Sequence, residues 1–589
     1  MPGRLRLDKG NITLFAFILT GLLFAFTRIT KNVEVESYVL LAVFSALFVF
    51  VISASNRIET ILFYIMYYMM INASITFSSM YLTNPFDTTG IRGFIQNIIS
   101  AGHIPSEGPY VNFFGRYDRL PLGPLYITIL KLVALDNGTD MILFLDMAIK
   151  VMELNLKVLC ILLIYLIVRN LSLNSDLRTH IYVGVSASTI TILIVPQSVY
   201  TAQFYAIPQL LLILYLLYTY MIKSESNLSI LILYIALLIS FVNSHSVTPL
   251  IFTIFLVLVV IYNHRRLFYN SGPSFIFIAF ILTTSLFTAK LIYDAVFYFR
   301  SFAIIGKELL RDIISLFLEG ITVERLVEHP QVEKALRPEL SYIEIFKLGI
   351  ARLYGDVIKI GLLLSSSIYF VYLYIKVMSR GKHSLKNDAL AFPIVILDFV
   401  LSFLAFILLI NGANLYTALG YSMQNMFYSI PLLHLFLARL VKSKAIVKHI
   451  FLVIITTSLI VNGNPIIIPN IEGEPVMPMP TNTIYKVEAI EFLSSYLDNS
   501  SIISIDSDFV SAWQIAGYAP SISKYLTFKS PVIYGEIRGK LALLPSPISR
   551  GQLGEPLEYR LHYHEVINIF IKRYSLIYNN LHVVLFLNE

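Results

Sequence analysis

Long apolar runs separated by short polar turns dominate the first 464 residues, and their spacing predicts helices that cross a bilayer. The runs fall at 12–28, 37–55, 59–82, 147–168, 181–199, 207–222, 228–243, 247–263, 274–296, 353–375, 391–411, 421–440 and 446–464. That is about thirteen transmembrane helices. A further apolar stretch, Pro124–Leu135, is too short to span and is expected to dip into the interface.

Basic residues then orient the threading. Arg4, Arg6 and Lys9 precede the first run, which reads as a retained first helix because no small-residue cleavage site follows it. With the N-terminus cytoplasmic, Arg57, Arg169, Arg178, Lys223, His264-Arg265-Arg266, Arg380, Lys382, Lys386, Arg439, Lys442 and Lys444 all fall on the inside. Arg28 and Lys31 are the exceptions, beside Glu34 and Glu36 on a short outer turn. The external side receives the loop 83–121, the amphipathic segment 297–350, where interfacial helices are expected, and the tail 465–589.

The pattern changes in the tail. Ile484–Tyr496 has helical periodicity, Ser501–Asp506 alternates like a strand, Leu561–Tyr574 is again helical, and Val583–Leu587 is a terminal apolar strand. A small C-terminal extracytoplasmic α/β domain is therefore expected behind a transmembrane domain of residues 1–464.

Composition agrees with the membrane reading. Only 14% of the 589 residues are charged, against roughly a quarter in soluble proteins. Mean hydropathy is +0.73. The net charge of +7 sits at run ends, so it reads as a topology signal and no nucleic-acid partner is expected. The single cysteine, Cys160, lies inside an apolar run and rules out a disulfide framework within the chain. Asn137-Gly138-Thr139 and Asn499-Ser500-Ser501 are sequons on the expected outer side.

Candidate chemistry crowds the first external loop. Asp87 follows a run by a few residues, which holds it near the headgroup plane. A carboxylate there suits proton abstraction from an acceptor hydroxyl, or a share in a metal site, but also suits the cap of a helix beginning at Thr88. Arg92, Arg116 and Arg119 have the fork geometry for a phosphate, or for lipid headgroups, and Asp118 beside Arg119 reads as an ion-pair cluster or a phosphate contact. Further on, Asp146, Lys150, Glu153 and Lys157 recur at spacings of four, three and four and stack on one helix face. That face meets a cavity or partner, or pairs with itself, but it does not meet lipid.

These features resemble the GT-C superfamily of integral membrane glycosyltransferases, which take sugars from polyprenyl-phosphate carriers on the external face. The likeness rests on Asp87, on Gly102, on Gly123-Pro124-Leu125-Tyr126, and on Ala148-Ile149-Lys150 with Tyr165 and Arg169 closing the same run. It continues in Pro196, in Ala202-Gln203-Phe204-Tyr205-Ala206-Ile207-Pro208, in Glu488-Ala489-Ile490 before the strand ending at Asp506, and in the final pair 574–578 and 582–587. The chain departs from the family's pattern where Thr88 follows Asp87, where Tyr205 replaces a frequent Asp, and around Gln424, where a common Arg is missing. The sole tryptophan is Trp513 and no Trp-Trp-Asp-Tyr-Gly signature occurs, which argues against an oligosaccharyltransferase catalytic subunit.

The resemblance implies Asp87 as catalytic base in an inverting transfer to a protein, lipid or glycan acceptor. Substrate and donor-phosphate contacts are expected from Arg92, His103, Arg116, Asp118, Arg119, Lys150, Gln203, Lys290 and Arg300. A divalent metal is one option, with Glu107, Asp118 or a residue elsewhere as the second acid. Two other readings stay open. The charged stripe would suit a transporter or flippase of lipid-linked or amphipathic solutes. A non-catalytic assembly factor would present the tail, where His562, His564 and Glu565 are either alternating surface residues or metal ligands.

Overall fold

The computed structural model describes residues 65, 87–104, 122–133, 141–171, 202–223, 228–245, 247–269, 275–293, 393–394, 396–401, 425–431, 434 and 572, together with five strands between 503 and 587. The helices are α1 (Asp87–Ala101), α2 (Leu122–Val133), α3 (Met141–Leu171), α4 (Ala202–Lys223), α5 (Leu228–Val242), α6 (Val247–Tyr269), α7 (Phe275–Tyr293) and the single turn α8 (Asn425–Tyr428). The runs expected at 12–28, 37–55, 181–199, 353–375 and 446–464, and most of 59–82, lie outside the described residues.

Among the described residues, two helical stretches are long and apolar enough to cross a membrane, Phe144–Leu171 within α3 and Phe275–Ile292 within α7. Their outward surface is apolar. On α3 the exposed side chains include Met147, Val151, Leu159 and Leu162, while Asp146, Lys150, Glu153 and Lys157 are buried. On α5 and α7 the exposed positions include Leu228, Ile232, Leu233, Ile239, Ile281 and Ile292. Charge inside and hydrocarbon outside reverses the arrangement that water imposes, and matches what lipid imposes.

One core joins the described helices. Helix α3 packs along α4, and Ile164, Val168, Leu210, Leu214 and Tyr218 share a buried cluster with Phe252 and Phe255 of α6 and Phe427 and Tyr428 of α8. Polar cross-links tie the layers. The Tyr218 hydroxyl donates to the Tyr428 carbonyl at 3.1 Å, Tyr234 and Thr283 hydroxyls meet at 2.9 Å, and the Asn170 amide donates to the Thr219 hydroxyl. In an apolar interior such bonds satisfy groups that neither lipid nor water can reach.

Hydropathy places the start of the fourth run at residue 147, but α3 begins at Met141 and spans 31 residues. The added residues, Met141–Leu145, are apolar, and Asp146 beyond them is neutralised inside the protein instead of marking a solvent boundary.

The short stretch read at 124–135 is α2, with 12 residues. At 1.5 Å per residue it reaches only about 18 Å, short of the roughly 30 Å hydrocarbon core. Gly123, Pro124, Ile127 and Thr128 form its buried face, while Tyr126, Ile129, Leu130 and Leu132 are exposed. A helix apolar on both faces has protein on one side and calls for an apolar medium on the other. Lys131 lies over the Phe144 ring at 4.4 Å and ties α2 to α3.

The strands are β1 (Ile503–Ile505), β2 (Leu526–Thr527), β3 (Leu541–Pro545), β4 (Ser575–Asn579) and β5 (Val583–Leu587), forming one mixed sheet in the order β2-β1-β3-β5-β4. β1 runs parallel to β2 and β3, with Ile503 opposite Leu526 and Leu541. β5 pairs antiparallel with β3 and β4. The closing strand expected at 583–587 has those bounds, and β1 lies within the alternating stretch 501–506. The helices read at 484–496 and 561–574 lie outside the described residues apart from Lys572.

Candidate functional site

Helix α1 carries the centre of the candidate site. Asp87 is its first residue, so an acidic group stands at the positive end of the helix dipole. Positions 87, 91, 94 and 98 follow one helical stripe, and Ile91, Phe94 and Ile98 of that stripe are buried with Ile95. The helix ends where Gly102 turns into the left-handed region at φ +73°. Its N–H donates to the Ile98 carbonyl at 2.9 Å, the single-bond form of a left-handed C-cap. A Cβ at this position would meet open space, so the backbone alone resists a side chain. Gly102→Ala is expected to lower stability by about 1 kcal/mol, read as a reduced thermal midpoint in detergent.

Arg92, one turn past Asp87, is fully buried. Its Nε donates to Asp146 Oδ1 of α3 at 2.7 Å, with both side chains at 0% exposure, and its Nη1 donates to Gln96 Oε1 at 3.0 Å. Much of the fork expected to hold a phosphate is thus directed to protein acceptors. The pair links two helices across 54 residues of sequence. Desolvating two charges is costly, and attraction at this distance offsets it only while both partners stay in place.

The stripe on α3 continues inward. Lys157 Nζ lies 2.7 Å from Glu153 Oε1, one turn apart, and both are buried. Lys150 is 2% exposed and lies within electrostatic reach of Asp146 and Glu153. Each of the two sequence alternatives holds for some of these residues: Glu153 and Lys157 pair within the stripe, whereas Asp146 reaches a partner helix. The five buried groups alternate in sign, with three cations and two anions, from Arg92 to Lys157.

The other expected contacts are dispersed. His103 follows the Gly102 cap, is exposed, and has Nδ1 3.1 Å from the Ile104 carbonyl. Gln203 is the second residue of α4, and Lys290, half-buried, lies in the last turn of α7. Arg116, Asp118, Arg119 and Arg300 lie outside the described residues, as does Glu107. Among the described residues no three His, Cys, Asp or Glu side chains gather to hold a metal ion. Sequence reasoning put Asp146 in the stripe and left it out of the site. Its signal was present: an acid at the mouth of an apolar run calls for a cation, and Arg92 lies in the neighbouring helix.

The turn between α5 and α6 holds a second polar feature. His245 Nδ1 accepts the Thr248 backbone N–H at 3.1 Å and lies 2.8 Å from the Thr248 hydroxyl, capping the first turn of α6. An accepting Nδ1 leaves the proton on Nε2 of a neutral ring. Burial pushes the imidazole down from 6.5 to about 4. The unfolded chain then binds this proton more readily, so stability is complete above pH 6.5 and declines as pH falls toward 4. Thermal unfolding should occur at lower temperature at pH 5 than at pH 7.5. His245→Asn, which keeps a capping acceptor and does not titrate, should flatten that difference.

Comparison with protein-family models and with curated proteins gives no match to this chain.

Proposed function

We propose that this chain is a polytopic membrane glycosyltransferase of the GT-C type, which transfers a sugar from a polyprenyl-phosphate carrier to an acceptor on the external face. In this reading about thirteen helices thread the membrane with the N-terminus inside. The loop 83–121, the segment 297–350 and the tail with its mixed sheet, as an extracytoplasmic α/β domain, lie outside. One observation carries the reading. Helix α1, headed by Asp87, is clamped by the buried Arg92–Asp146 pair to α3, which contains the membrane-length stretch Phe144–Leu171. With α2 lying alongside, too short to cross and apolar outward, the arrangement fits a carboxylate held at headgroup depth.

Asp87 accepts the proton of the acceptor hydroxyl as its oxygen bonds to the anomeric carbon. The bond from that carbon to the phosphate oxygen breaks from the opposite face, and the electron pair leaves on the lipid phosphate. Configuration inverts. Lys150, Lys290 and Arg300 supply positive charge for the departing phosphate. The buried Arg92–Asp146 and Glu153–Lys157 pairs along α1 and α3 support internal bracing over a solute path.

The test uses the full chain in vesicles, supplied with radiolabelled polyprenyl-phosphate mannose and polyprenyl-phosphate glucose and with a membrane extract as acceptor source. Label should move into the acceptor fraction with release of polyprenyl phosphate, and not with Asp87→Asn. Absence of incorporation from both donors by the folded wild type would overturn the reading.

A further inference from the structure

We infer that the buried Arg92–Asp146 pair is a positioning device that fixes the rotation of α1 against α3, and with it the place of Asp87. The inference rests on the proposed transfer reaction for its catalytic component and on geometry for the rest.

Apolar contacts alone leave a short helix free to roll. Ile91, Phe94, Ile95 and Ile98 present an aliphatic and aromatic surface, and such surfaces hold a helix against its neighbour without selecting one angle sharply. A charge-assisted bond selects strongly. The Nε–Oδ1 distance is 2.7 Å, both partners are completely buried, and Gln96, one turn on, accepts from Nη1 of the same guanidinium. Rolling α1 by even a small angle would pull the opposite charges away from each other in a medium that cannot solvate them. Asp146 is in turn fixed by the long helix that bears it and by the nearby cation Lys150. Asp87 lies five residues before Arg92 on the same rigid element, so the angle set at Arg92 is the angle at Asp87. A general base depends steeply on such placement. Neither Arg92 nor Asp146 has to touch substrate for this.

The test removes the lock and keeps the packing. Arg92→Met with Asp146→Leu deletes both charges together, leaving neither stranded. Spin labels on cysteines introduced at Ser100 and Val151, both exposed, report the relation of α1 to α3, and the native Cys160 is buried and does not compete. The wild-type background should give one narrow distance, and the double variant a broadened one. In the vesicle assay the double variant should lose about 10- to 100-fold in kcat with donor KM held within about twofold. Arg92→Lys keeps the charge and loses the fork, so it should fall between the two, and it carries the same test if the double variant does not fold. A narrow distance with wild-type kcat in the folded variant overturns the inference, as does a broadened distance with unchanged kcat. A wild type that transfers from neither donor fails at the reading of the site itself, a result distinct from these.

Discussion

Asp87→Asn is expected to reduce sugar transfer by about 10²- to 10⁴-fold, the usual contribution of a positioned general base, while the protein remains folded in the membrane. The substitution separates the two roles that the residue's position allows. As the opening residue of α1, Asp87 is placed for a structural task at the helix end. Asparagine caps a helix about as well as aspartate, so a purely structural Asp87 would tolerate the change within a few tenths of a kcal/mol. A base would not, since the amide cannot take the proton. Asp87→Glu sharpens the contrast. It keeps the charge and moves it by one methylene, and reaction geometry tolerates little displacement, so transfer should fall while thermal stability stays close to wild type. Initial rates against donor concentration, alongside unfolding midpoints in detergent, decide the matter. Wild-type rates in Asp87→Asn would leave the cap as its only role.

Asp146→Ala has the second large expected effect, this time on stability. It leaves the Arg92 guanidinium buried without the carboxylate that accepts from Nε. Breaking a buried pair from one side typically costs about 3–5 kcal/mol. Against a total stability of about 5–15 kcal/mol, that is enough to deplete the folded population at growth temperature. Yield of folded protein and thermal midpoint should both drop sharply. Removing both charges with Arg92→Met and Asp146→Leu should recover most of the loss, because the penalty comes from the stranded charge and hydrophobic replacements fill the volume. Equal midpoints for Asp146→Ala and wild type would show that water or another anion reaches Arg92.

Much of the helical layout was legible in the chain. Runs at 207–222, 228–243, 247–263 and 274–296 correspond to α4, α5, α6 and α7, with α4 starting five residues earlier and α6 continuing six residues further, to Tyr269. α3 extends from Met141, six residues before the predicted start, and Asp146 within that extension finds its counter-charge inside the protein. Hydropathy cannot register a partner 54 residues away. The candidate site divides the same way. Asp87 and the stripe from Asp146 to Lys157 stood out by residue type and spacing, and Gly102 through the family resemblance. Arg92 was read as a phosphate or lipid-headgroup contact because an arginine in an outer loop, taken alone, shows no internal partner.

The sequence by itself determined that long stretches of this chain are apolar helices, that charge recurs along one face of α3, and that the C-terminal region changes to strand-like alternation. These are consequences of composition and period, which act within a few turns of any residue. Only the tertiary structure decided which charges neutralise one another. Helical spacing made Glu153 and Lys157 neighbours, but the meeting of Arg92 with Asp146 required α1 to dock on α3. Local preference is written into a few adjacent residues, whereas pairing of buried charges depends on the packing of elements far apart in the chain, and so does the placement of Asp87.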